Sequence, residues 1–150
     1  MNKSLLVVIL LLAALLIPFS SLDAPDWTVS VVYGPNEPAG GVLVREEYQN
    51  YSVEKQEHEV DLLTDASGKV HFPAKRHYRN CLIRIWGVLN AATGGVHASF
   101  GPHDYVLAFG DGFEGIPEKN GFEEDWTGSP AHVDSLILLH PVQQQLNNTR

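Results

Sequence analysis

Thr64-Asp65-Ala66-Ser67-Gly68-Lys69-Val70-His71-Phe72-Pro73 is the stretch on which the reading of the fold turns. Its second residue, Asp65, has a side chain that can bond the backbone ahead of it. Gly68, three positions on, is free to take positive φ. Residues 65–68 therefore predict a tight turn, with Gly68 at positive φ. Lys69 to Phe72 should be a short strand ended by Pro73, pairing back on Val60 to Thr64 as a hairpin.

Outward from this turn the chain alternates apolar runs with Gly, Pro, Asn and Asp, and no stretch of helical length keeps a clean spacing of three and four. Thr28 to Tyr33 places Val29, Val31 and Tyr33 on one face, the alternation of a half-buried strand. Gly34-Pro35-Asn36-Glu37-Pro38 turns the chain. Gly41 to Tyr48 makes a second strand with Val42 and Val44 inward, and a polar loop runs from Gln49 to Glu59. Cys81 to Leu89 reads as the most strand-like run and a central strand, with Ile83 and Ile85 buried. Asp104 to Phe109 and Asp134 to His140 complete a set of about seven strands. The resulting expectation is an all-β domain, a two-sheet antiparallel β-sandwich, with a long Gly- and acid-rich connection from Gly110 to Val133.

Two segments together resemble the carboxypeptidase regulatory-like family of transthyretin-like β-sandwiches. Glu37-Pro38-Ala39-Gly40-Gly41-Val42-Leu43-Val44 is similar to that family's Pro-x-x-Gly-x-x-Val approach to its second strand. The turn segment Thr64 to Pro73 is similar to its Thr-Asp-x-x-Gly-x-Phe-x-Phe turn, with Val70 where an aromatic is common. The resemblance covers about Trp27 to Phe109 and implies an exported scaffold or binding role; a fold alone does not establish a function.

At the N-terminus, Leu5 to Ile17 are thirteen consecutive apolar residues, preceded by Lys3 and followed by Pro18. This is the pattern of a secretory signal and is short for a membrane span, which needs about 20 apolar residues. Ala24 is the best small residue for cleavage, with Leu22 two positions before it, so an uncleaved anchor over residues 5–19 stays open beside a cleaved leader. The organisation expected is a signal or anchor helix over 1–24, a β-sandwich over 25–145 and a polar tail over 146–150. In either case Lys3 sends the domain out of the cytoplasm, secreted or periplasmic, with the membrane contacted only through the N-terminal segment.

The chain has a formal charge of −8. That opposes nucleic-acid binding, which needs a basic stripe to neutralise phosphates. The one basic cluster, Lys75, Arg76, His77 and Arg79, reads as a solvated face. Net acidity likewise argues against adhesion to anionic lipid, although a local patch can depart from the net charge. The single cysteine, Cys81, forms no internal disulfide and reads as a small buried hydrophobe.

Seven histidines raise a metal hypothesis, of which the sharpest form gathers His97, His103 and His132. No His-x-His occurs to place two ligands on one strand face. Asp111, Glu114, Glu118, Glu123, Glu124 and Asp125 could surround calcium but lack the spacing of a calcium loop. For ligand contact, the candidates are Trp126, Asp111 and Glu114 of the long connection. No nucleophile elbow, phosphate loop or zinc-protease motif is present. The reading is thus a structural or binding module for a protein or carbohydrate ligand, without catalytic activity or cofactor. A metal-dependent or hydrolytic enzyme is the alternative class.

Overall fold

The computed structural model describes residues 2–110, 112–119 and 122–142, apart from the side chains of His97 and Phe122. Asp111 and the polar tail lie outside the described residues. The chain is mostly β, in several sheets. It begins with a helix, α1 (Lys3–Leu15), which buries none of its residues. Among the described residues no helix is long and apolar enough to cross a membrane.

Strands follow in the order β1 (Phe19–Ala24), β2 (Asp26–Gly34), β3 (Glu37–Pro38), β4 (Leu43–Asn50), β5 (His58–Leu63), β6 (Lys69–Phe72) and β7 (Lys75–Arg79). A helix, α2 (Cys81–Ala92), and a 3-10 turn (Gly95–His97) come next. The chain continues as β8 (Pro102–Gly110), β9 (Phe113–Gly115), β10 (Glu118–Lys119), β11 (Phe122–Glu123), β12 (His132–Leu138) and β13 (His140–Pro141). In one sheet β2 is flanked by β12 on one side and by β6 and β3 on the other, and a second sheet runs β13-β9-β8-β4-β5. Two short pairs, β1 with β7 and β10 with β11, form two-stranded sheets of their own.

Alternation sets the core. Trp27, Val29 and Val31 of β2, Val70 and Phe72 of β6, and Val133 and Ile137 of β12 are buried in one cluster with Val44 of β4 and Val106 and Ala108 of β8. The phase predicted for Val29, Val31 and Val44 is the one seen, and Val42 packs against the same cluster. Tyr33, expected on the inward face, is exposed near the end of β2.

The Asp65–Gly68 turn forms as read. Asp65 Oδ1 accepts from the Ser67 N–H (2.8 Å), the Ser67 hydroxyl (2.7 Å) and the Lys69 N–H (3.0 Å), and Gly68 has φ 73°. A β-carbon at Gly68 would fall 2.5 Å from Val31 O and 2.9 Å from Ala39 N, so only glycine fits. The expected hairpin is corrected, however: β6 pairs with β2, while β5 pairs with β4 in the other sheet. The cause lies in the turn's own bonds. The Thr64 hydroxyl donates to Ala39 O (2.6 Å) and accepts from the Val42 N–H (2.9 Å), while Gly68 O accepts from the Val31 N–H (2.7 Å). The strand leaving the turn is thereby delivered to the side of β2.

Further expectations are overturned. Strands outnumber the seven counted, and β12 runs parallel to β2, so the sheets are not wholly antiparallel. Residues 81–89 are not a central strand but lie within α2, where Asn80 caps the helix by accepting the Ile83 N–H (3.0 Å). Ile83 and Ile85 are 45% and 53% exposed rather than buried. A short run that is almost entirely apolar carries no usable period, and the capping asparagine was the signal that mattered. Finally, residues 19–24, assigned to the leader, form β1 and are paired to β7.

Candidate functional site

Along β4 and β8 the inward face changes character. Val44 lies opposite Ala108, then Glu46 opposite Val106, then Tyr48 opposite Asp104. Glu46 and Asp104 sit in the same alternation phase as the aliphatic residues, so the backbone pleat points their carboxyls inward, and both are wholly buried. β1 packs over this end of the sheet, with β7 paired to its edge. It adds Asp23, also wholly buried, which accepts from Asn50 Nδ2 (2.6 Å) and is paired with Nδ1 of His77.

Lys75 Nζ lies 3.1 Å from Glu46 Oε2 and donates to Pro73 O at 2.7 Å. Burial raises the Glu46 carboxyl, and Lys75 partly offsets that rise. The Asp104 carboxyl is pushed up to about 9, first by burial and then by the neighbouring Glu46. Both of its oxygens, and Glu46 Oε1, have no hydrogen-bond partner among the described residues. This is a closed polar cluster that keeps a proton at neutral pH. Asp23, Glu46 and Asp104 offer a substrate no exposed surface.

The second feature is an open groove of about 810 Å³ on the opposite side of β8. Its walls are Leu107 and Phe109 of β8, Ile116 beyond β9, and Leu136 and Leu138 of β12. Gly115 lets β9 lie against β12, since a β-carbon there would stand 2.6 Å from Ile137 Cγ2 and 2.7 Å from Leu138 O. Leu136 is 60% exposed and Leu138 42%, an apolar display on the outward face of a strand whose other face is core. Arg45 also lines the groove, but its guanidinium is already held by Glu59 (2.8 Å) and by Asp61 (2.7 Å). That double pairing raises the Arg45 pKa and leaves the groove without a free cation from this residue.

Of the residues singled out from sequence, Glu114 is exposed and lines the groove, beside His140. Trp126 is corrected: it is 2% exposed, exchanges backbone hydrogen bonds with Asp104 and donates from Nε1 to Pro130 O (2.5 Å), so it offers no stacking face. Asp111 lies outside the described residues. His103 faces Asp125 at 3.7 Å, and His132 meets Asp26 at 3.8 Å and Asp134 at 3.3 Å. Among the described residues no three His, Cys, Asp or Glu are placed to hold a metal; the His97 side chain is not among them.

The polar cluster was not singled out from sequence, although a signal existed. Glu46 follows Val42 and Val44 in phase, and Asp104 precedes Val106 and Ala108, so each is a charge on a face otherwise buried. Asp23 escaped because it fell in the segment assigned to the leader. Comparison with protein-family models, curated proteins and solved structures gave no match.

Proposed function

We propose that this chain is an extracytoplasmic β-sandwich module without catalytic activity, exported or anchored through its apolar N-terminus, whose groove takes apolar side chains of a protein partner. The observation that carries the reading is the groove itself. Its walls are five large apolar residues, two of them on the outward face of β12, where a strand at the border of a sheet ordinarily carries polar groups. A carbohydrate would want aromatic platforms and free hydrogen-bonding groups. Glu114, Glu118 and His140 put polar groups at its margin, but Phe109 is the single Phe, Tyr or Trp among the described lining residues and no stacking platform faces it, so the peptide partner is preferred over the sugar.

Kinship with the carboxypeptidase regulatory-like sandwiches belongs to the same proposal. It is supported by the way the two quoted segments dock on each other, with Gly41 N donating to Thr64 O (3.0 Å) and Thr64 N to Val42 O (2.9 Å). One observation favours the hydrolytic alternative, the pairing of Asp23 with His77 and Asn50. The complete enclosure of the three carboxylates weighs against it.

An environment-sensitive apolar dye bound to the purified protein tests the groove. The expected result is binding that short apolar peptides displace and soluble glycans do not, with loss of binding in Leu136→Asp and Leu138→Asp. Dye binding indifferent to both substitutions, or displacement by glycans instead of peptides, would remove the reading.

A further inference from the structure

α2 is packed inside out. Cys81, Arg84, Gly87, Asn90 and Ala91, at helical spacings of three and four, are the partly buried residues that face the body of the protein; Cys81, expected to be buried, is only partly so. The Arg84 guanidinium donates to Phe19 O (3.2 Å) and Ser21 Oγ (2.9 Å) and lies 4.1 Å from the Phe19 ring centre. A β-carbon on Gly87 would fall 1.7 Å from Ser52 O, so the helix backbone itself rests on the chain beneath. The other side carries Leu82, Ile83, Ile85, Trp86, Val88 and Leu89. All are exposed, Trp86 by 73%, and Val96 beyond the helix is 96% exposed.

A helix lying on a globular protein in water turns its apolar stripe inward, and this one does the reverse. An apolar surface of this kind marks a contact. Charge identifies the occupant. Although the chain carries −8 overall, residues 66–103 contain no Asp or Glu and five of its ten Lys and Arg. Lys75 is taken up by Glu46 and Arg84 by Phe19 and Ser21, but Arg76 and Arg79 lie on β7 opposite Leu22 and Phe19, just before the helix. These cations attract anionic phosphates while the helix seeks an apolar phase, and a bilayer surface offers both. Twelve residues are too few to span, since about 20 are needed, so the helix lies in the interface. Trp86 is the residue type that settles at the headgroup level.

We infer that α2 is a second membrane contact, seated in the headgroup region of a bilayer containing anionic lipid. The Arg84 bonds fix it beside Phe19, two positions after the apolar run ends at Ile17. This rests on the proposed membrane role of the N-terminus, because only then do both elements meet one surface. The domain is then held against the bilayer at two points rather than swinging from one tether.

Flotation and tryptophan quenching on the full chain test this. Vesicles of phosphatidylcholine with phosphatidylglycerol are compared with phosphatidylcholine alone. Trp27 and Trp126 are buried, so Trp86 dominates the accessible emission. The expected result is quenching of Trp86 by spin-labelled lipid near the headgroups and protection from aqueous iodide, stronger with phosphatidylglycerol. The lipid-quenched component should vanish in Trp86→Phe and in Ile85→Asp/Leu89→Asp. If the chain floats but Trp86 stays open to iodide, the inference falls and the N-terminal reading stands. If Leu10→Arg/Leu11→Arg still floats and Ile85→Asp/Leu89→Asp does not, α2 binds lipid alone and the N-terminal reading falls. Protection of Trp86 without lipid, rising with protein concentration, would assign the face to a second copy and overturn the proposal.

Discussion

Asp104 stands where a strand of valine and alanine would be expected to continue, and its carboxyl has a titration the rest of the chain must live with. In the unfolded chain it ionises near 3.8; in the folded one it holds its proton up to about 9. Its contribution to stability is therefore complete below the lower value and is lost as pH rises through the upper one, by up to about 1.4 kcal/mol per pH unit between them. Glu46 shifts in the same direction. Urea midpoints taken from about pH 5 to about pH 8 should fall for the native protein and fall less for Asp104→Asn, which cannot ionise. Parallel lines for the two proteins would mean that Asp104 is solvated. Glu46 and Asp104 were legible in principle, because alternation assigns a face to every strand residue. Their burial was not, because nothing in a charge's identity says that β1 will cover it.

Among the elements, β2 and the 65–68 turn could be read from the sequence because each rests on bonds and periods local to itself. The partner of β6 could not, because it depends on where Thr64 and Gly68 meet Ala39 and Val31. α2 failed for a different reason: its inward, partly buried face is Cys81, Arg84, Gly87, Asn90 and Ala91, while its large apolar residues point outward, so a reading that equates apolar with inward inverts it. The consequence is measurable. Phe72→Ala, in the core, should cost about 3–5 kcal/mol in urea unfolding. Ile85→Ala should stay within about 0.5 kcal/mol, as exposed positions do, although the sequence alone places it in a central strand. A loss at Ile85 matching that at Phe72 would show α2 to be packed against the core.

For the molecule as a whole, the folded body begins before Asp23, whose carboxylate holds Asn50 and His77. Removing residues 1–17 should leave the unfolding midpoint where it is. Removing 1–24 takes β1 away, leaves buried Asn50 without its acceptor and should cost at least about 2 kcal/mol. Equal midpoints for the two truncations would show that β1 is dispensable. The sheet to which β2 belongs closes from its far end in sequence: β12 lies parallel to β2, and Trp27 bonds to Ser135 across a separation of 108 positions. Such a pairing cannot form until residues 132–138 have been made, and closing so large a loop is slow. Until β12 arrives, β2 is left open to wrong pairing along the edge that β12 will cover.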